Sequence, residues 1–458
     1  MRVLLVSTYD LGRQPFGLAS PAAWLRREGI GVDCADTSRE PLADDTIGRA
    51  SIVAFYLPMH TATRLAAPLI DRVRAVNAAA QLVAYGLYAP LNAAWLRSRG
   101  VATVLGPEAE AELVALALAK PQLPTPNSQL PKLRFIPPDR STLPPLQRYA
   151  ALQMPDGSRR VVGTTEATRG CKHLCRHCPI VPVYRGAFRV VSDDVVFADV
   201  AAQVAAGAQH ISFGDPDFFN APTHARRIVE RMATEHPGLT YDVTIKIEHL
   251  LKHSDMLPLL AATGCLFVTS AVESIDPQVL RHLRKGHTRE DFVHAVALCR
   301  RAGVRLSPTF VPFTPWATIA GYVDLLDLIT QLGLEADVAP IQLGIRLLVT
   351  ADSALLELDD IRAGVEPFDP ASLTWPWRHR DAAVDQLQAD VMRVVASMNG
   401  APRRDVFDAI DALARGSSPE ALRLKPAAIR LKPDSTPPHL TEAWYCCAEP
   451  GPDISSYV

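Results

Sequence analysis

Short apolar runs alternate with amphipathic stretches through the first 118 residues of the chain. "VLLVST", "SIVAFYL", "QLVAYG" and "ATVLG" are too short for helices and rich in residues that suit strands. The segments between them, such as "TRLAAPLIDRVRAV" and "PEAEAELVALALA", carry apolar positions at helical spacing. After the first strand a helix is expected to open at Ser20-Pro21 and stop at Gly29, with proline at its start and glycine at its end. Strand and helix in regular alternation predict parallel strands with crossover helices, so residues 1–118 are expected to form a small doubly wound α/β domain.

The pattern breaks over residues 119–156, where "KPQLPTPNSQLPKLRFIPPDRSTLPPLQRY" is dense in proline and has no helical period, as in an extended linker. A second alternation fills residues 157–362. Strands are expected at "VVGTTEAT", "HISFGD", "YDVTIKI", "CLFVTSAV", "RLSPTFVPF" and "VAPIQLGIRLLV", with helices such as "DDVVFADVAAQVAAG" between them. Six units, two short of a closed eight-stranded barrel, predict an open (β/α)6 partial barrel. Residues 363–458 read as helical to about Arg415 and then as a tail punctuated by proline.

Composition narrows the function classes. Of 458 residues, 48% are hydrophobic, enough for a large core, and the formal net charge of −2 gives no reason to expect a nucleic acid or an anionic membrane as partner. "MRVLLVSTYD" lacks the cleavage region of a signal peptide, and no run approaches the roughly 20 apolar residues that span a bilayer. A cytoplasmic location is expected. In such a compartment eight cysteines are not a disulfide framework, and clustered ones point to metal or redox chemistry. Cys34, Cys265 and Cys299 stand singly in apolar surroundings and are expected to be small buried hydrophobes.

The cluster is "TRGCKHLCRHCPI", which places Cys171, Cys175 and Cys178 directly after the first barrel strand, on the face where such barrels gather their active sites. Three thiolates are one short of the four that hold an ordinary cubane cluster, which leaves one iron open to substrate. Lys172, Arg176 and Arg169 would temper the negative charge. A zinc site completed by His173 or His177, or a loop that binds nothing, would use the same spacing.

CxxxCxxC at the end of the first strand of a half-barrel resembles the signature of radical S-adenosylmethionine (SAM) enzymes, and the resemblance covers about residues 160–360. It implies a [4Fe-4S] cluster on Cys171, Cys175 and Cys178, SAM as the second cofactor, and an electron donor such as flavodoxin or ferredoxin. By position in the family's pattern, Gly214 and Asp215 of "FGDPDF" would meet the SAM amino group. Glu273 would lie at the end of the fourth strand, Arg346 would pair with the SAM carboxylate, and His177 would pack beside the adenine. The N-terminal domain resembles the Rossmann-like cobalamin-binding domain of many such proteins, through "VAYGLYAPLN" and "LGPEAEAEL". It lacks the family's DxHxxG ligand motif, reading "YDLGRQPFG" instead, so cobalamin is possible but not favoured, and a structural remnant that covers the active face is expected.

The tail, "EAWYCCAEPGPDISSYV", resembles the group of radical SAM proteins with a CUAEP or CCAEP tail. That resemblance implies transfer of the 3-amino-3-carboxypropyl group of SAM to trivalent arsenic (arsenite), as in arsinothricin biosynthesis. Cys446 and Cys447 would hold the arsenic, since soft thiolates select soft ions. A redox couple or a solvent-exposed end are the other uses of such a pair. Two alternative functions stand beside it: a cobalamin-dependent radical SAM methyltransferase, and an iron–sulfur redox or metalloid sensor without turnover.

Overall fold

Strands β1 (Arg2–Ser7), β2 (Gly31–Asp36), β3 (Ile52–Tyr56), β4 (Gln81–Tyr85) and β5 (Thr103–Val104) form an all-parallel sheet in the order β2-β1-β3-β4-β5. The structure, a computed structural model, describes residues 1–119, 134–416 and 436–442. Both faces of this sheet are covered, which explains why its strands read as continuous apolar runs. Successive side chains point to opposite faces. Leu4, Val6, Val53 and Phe55 enter one core, and Val3, Leu5, Ile52 and Ala54 enter the other.

The first helix runs Phe16–Arg27 and begins four residues before the expected Ser20. Pro21 therefore sits inside it. Proline has no N–H to give the carbonyl four residues back. The Gly17 carbonyl left free this way is taken by the Tyr85 hydroxyl, which donates to it at 2.7 Å.

The second sheet contains β6 (Ala151–Gln153), β7 (Arg159–Thr165), β10 (His210–Phe213), β11 (Thr240–Thr244), β12 (Cys265–Glu273), β13 (Arg305–Phe310) and β14 (His439–Leu440), after the hairpin strands β8 (Thr168–Gly170) and β9 (Phe188–Val190). Strands β7 and β10–β13 are parallel and curl as the wall of a partial barrel, with β6 and β14 added antiparallel at one edge. The sixth expected strand is not a regular one. Pro340 starts a 3₁₀ turn through Leu343, and only Arg346 bridges in parallel to Phe313. Proline lacks the ladder donor, so pairing is confined to the residues beyond Gly344. Helices Ala382–Ser397 and Arg403–Ala414 bury Leu387, Val391, Phe407 and Ile410 in the barrel core. Among the described residues no helix is long and apolar enough to cross a membrane.

Candidate active site at the barrel mouth

The three-cysteine loop is clamped at its base. Strands β8 and β9 pair as an antiparallel ribbon, so the loop leaves and returns at one place. Gly170, with φ +78°, ends β8, and a Cβ there would meet the Tyr184 ring at 2.5 Å and the Ala187 carbonyl at 2.6 Å. Only glycine fits that bend. From outside, Asn220 donates to the Gly170 carbonyl (3.2 Å) and accepts from the Lys172 amide (3.3 Å). The Arg176 amide and guanidinium donate to the Leu283 and His282 carbonyls at 2.9 and 2.6 Å.

Cys175 is buried, and Cys171 and Cys178 are half-buried. Burial pushes the Cys171 thiol up to about 12 and raises Cys175 as well, against the pull of Lys285 and Lys246. As free thiols these groups stay protonated. A metal centre that ionises its thiols outright is the environment in which three of them make sense. The cations that act on Cys175 are Lys285 and Lys246, both buried. Arg169 has another use: it pairs with Glu110 and Glu166, each at 2.7 Å, and so ties the barrel to the N-terminal domain.

Glu273 closes β12 with φ +69°, a left-handed conformation that costs a glutamate about 1–3 kcal/mol. Its buried carboxylate lies 3.1 Å from His177 Nε2 and 3.3 Å from Lys285 Nζ. Burial alone would raise this carboxyl, but Lys285 and His177 together hold it down at about 2. His177 Nδ1 is buried and has no hydrogen-bond partner among the described residues, in the loop where a further group would bind. Of the residues expected from the sequence, the structure brings His177 and Glu273 together. The residues present suit a cluster that leaves one iron free for a second ligand.

Gly214 and Asp215 lie at the end of β10, as expected, with a different use for the carboxylate. The Ala167 amide and the Thr168 hydroxyl donate to it at 2.9 and 2.6 Å, which pins the turn between β7 and β8. Burial pushes Asp215 up to about 7 in spite of those bonds. Arg346 is committed to Asp385 (2.6 Å) and the Trp377 carbonyl (2.5 Å), and its guanidinium lies over the Trp377 ring. Cys265 and Cys299 are buried as expected, and Cys34 is half-buried. Cys446 and Cys447 lie outside the described residues. Lys246, Asp217 and His249 also line this region and were not anticipated. Their signal was position alone, because each follows the end of β10 or β11.

A cavity of about 150 Å³ joins the two domains and runs from Gly170 and Gly214 to Phe16, Tyr56 and Tyr85. In a doubly wound sheet, ligands bind where the strand order reverses, here beyond the ends of β1 and β3. That crevice is filled. The Tyr56 ring packs against Gly17 so closely that a Cβ there would lie 2.1 Å from it, and Tyr85 bonds the Gly17 carbonyl. The space left is below the roughly 300 Å³ of an ordinary small-molecule pocket.

Residues 165–328 match the family model for the Radical SAM superfamily. That span holds the cysteine loop and strands β10–β13. At the level of the whole fold, the chain resembles the cobalamin-dependent S-adenosylmethionine radical enzyme OxsB (TM-score 0.67, 13% identity, 90% of this chain and 71% of that one). It also resembles the radical S-adenosylmethionine methyltransferase TsrM from Kitasatospora setae (TM-score 0.56, 19% identity, 72% and 71%). In sequence it is 29% identical over 133 residues to bacteriochlorophyllide d C-12(1)-methyltransferase from Chlorobaculum tepidum, covering 28% of each chain. The chain spans less than half the length of the curated relatives it matches.

Proposed function

We propose that this protein is a radical SAM transferase that moves a carbon group from SAM to an acceptor held at the barrel mouth. The observation that carries this reading is the clamped loop with Cys171, Cys175 and Cys178, backed by the buried His177–Glu273–Lys285 group. When bound, a [4Fe-4S] cluster supplies the electron and the open iron that SAM cleavage needs. This chain's residues hold the loop, place two lysines near the thiolates and close the chamber with the N-terminal domain. Exclusion of water protects a reactive intermediate there.

Two groups compete as the one transferred. The likeness to OxsB, a cobalamin-dependent radical enzyme, and to TsrM, a methyltransferase, favours cobalamin-dependent methyl transfer. The Tyr56–Gly17 packing and the Cys446–Cys447 tail favour transfer of the 3-amino-3-carboxypropyl group to arsenite without a corrinoid. The last described residues bear on the second reading. Strand β14 pairs with β6, and Glu442, four positions before Cys446, accepts from the Tyr9 hydroxyl at 2.7 Å beside β1. Glu442, the last of the described residues, is thus held at the N-terminal domain.

Product analysis separates the two. The reduced, reconstituted protein is given SAM, with and without arsenite and with and without hydroxocobalamin. Methylthioadenosine formed with arsenite supports carboxypropyl transfer, whereas S-adenosylhomocysteine that requires hydroxocobalamin supports methyl transfer. SAM left intact under every condition contradicts both.

A further inference from the structure

Beside the cysteine loop, three ligating atoms from three separate segments converge. His173 lies on the loop between Cys171 and Cys175, Asp217 follows β10, and His249 lies in the turn of helix after β11. One atom from each lies within 4.8 Å of the others. Asp217 is 1% and His249 3% exposed, so water is a poor partner for either. His173 Nε2 is 3.2 Å from Asp217 Oδ2, and His249 Nδ1 is 2.6 Å from the same oxygen. The second approach lacks hydrogen-bond geometry, and His249 Nδ1 has no other partner among the described residues. A buried imidazole nitrogen set beside a carboxylate off the hydrogen-bond axis is placed as a ligand and not as a donor.

We propose that His173, Asp217 and His249 bind one divalent transition-metal ion, separate from the three-cysteine site. Two imidazoles and a carboxylate suit zinc or ferrous iron, with water completing the shell. At zinc bond lengths of 2.0–2.2 Å, tetrahedral ligand atoms sit about 3.3 Å apart. The His173–Asp217 distance already matches, and the ion would open the His249–Asp217 distance to that value. Binding through Nε2 leaves the ring proton of His173 on Nδ1. Glu248 lies 3.8 Å from that nitrogen, beyond direct hydrogen-bond distance, and Lys246 Nζ, 3.3 Å from it, is paired to Glu248 at 2.5 Å, so the ion would turn Lys246 from His173 to Glu248. The ion would pin the cysteine loop to the ends of β10 and β11 whether or not a cluster is present.

The test uses the full chain with Cys171, Cys175 and Cys178 changed to alanine and Cys446 and Cys447 to serine, so that no clustered thiolate competes. Titration with cobalt(II) and zinc(II) should give one equivalent bound, and the cobalt form should show d–d absorption without thiolate charge-transfer bands. Adding Asp217→Asn or His249→Gln should weaken binding more than about tenfold, with unchanged circular dichroism. Failure to bind a stoichiometric ion, or an affinity unmoved by the two changes together, overturns the proposal. A second measurement serves if the five-cysteine variant does not fold. Elemental analysis of the reconstituted wild-type protein, with zinc supplied, should show one zinc beside the cluster iron. His249→Gln should lose that zinc and keep the iron, and equal zinc in both proteins contradicts the site.

Discussion

Glu273 and Asp215 are two buried carboxyls whose environments drive them in opposite directions. Lys285 and His177 hold Glu273 at about 2. Because its folded value lies below its ordinary one, it stabilises the fold at neutral pH, and that stability is lost as pH falls from about 4.3 toward 2. Removing the partner should cost more than acid does. Lys285→Ala leaves the buried carboxylate with His177 as its partner and no lysine beside it, a loss of about 3–5 kcal/mol that urea unfolding at pH 7 will read. Asp215 runs the other way, raised by burial to about 7. Its contribution is fully present below about pH 3.9 and is lost as pH rises through 7. Asp215→Asn should therefore flatten the decline in unfolding free energy between pH 4 and 7, and a slope equal to wild type would contradict the assignment. Cysteine spacing and strand-end position made Cys171, Cys175, Cys178 and Glu273 legible in the chain. Lys246, Asp217 and His249 were not, since their meaning depends on three segments meeting in space. Asp215 sits where expected, but its hydrogen bonds to Ala167 and Thr168 are invisible without the turn they close.

At the scale of elements, the period of apolar positions found four of the five strands of the N-terminal sheet, all but β2, and the five parallel strands of the barrel. It failed where proline intervenes. Pro340 and Gly344 sit within an apolar run that reads as a sixth strand and yields one bridge. Strand β6 lies at residues 151–153, within the segment expected to be linker, because its pairing with β7 and β14 is an edge contact with no long apolar run behind it. Pro21 was read as a helix start and proved to be interior, tolerated because Tyr85 satisfies the Gly17 carbonyl. The hairpin β8–β9 is the element on which the cysteine loop depends. Gly170→Ala should strain it, by about 1–2 kcal/mol from the left-handed backbone alone, and force Tyr184 and Ala187 aside. The expected result is loss of bound iron after anaerobic reconstitution, measured per chain, with a small loss of thermal stability. Full iron content in that variant would mean that the clamp is dispensable.

For the molecule as a whole, ion pairs tie the two domains together. Arg169 sits between Glu110 of the first and Glu166 of the second, with Ser20 completing the group. Arg140 adds a second tie, from the segment between the domains to Asp199 and the Thr164 carbonyl. Arg169→Ala should cost about 3–5 kcal/mol, since it strands the buried Glu110 and the half-buried Glu166, and should split denaturant unfolding into two transitions as the domains come apart. A single transition at the wild-type midpoint would contradict that tie. The central claim is that Cys171, Cys175 and Cys178 hold a cluster that cleaves SAM. The most direct measurement is SAM consumption by the anaerobically reconstituted, reduced protein, beside Cys175→Ala prepared in the same way. The account predicts cleavage products from the wild-type protein and none from the variant. Wild-type protein that carries a full four-iron cluster on those cysteines and leaves SAM intact, or a variant that cleaves it equally well, would contradict it.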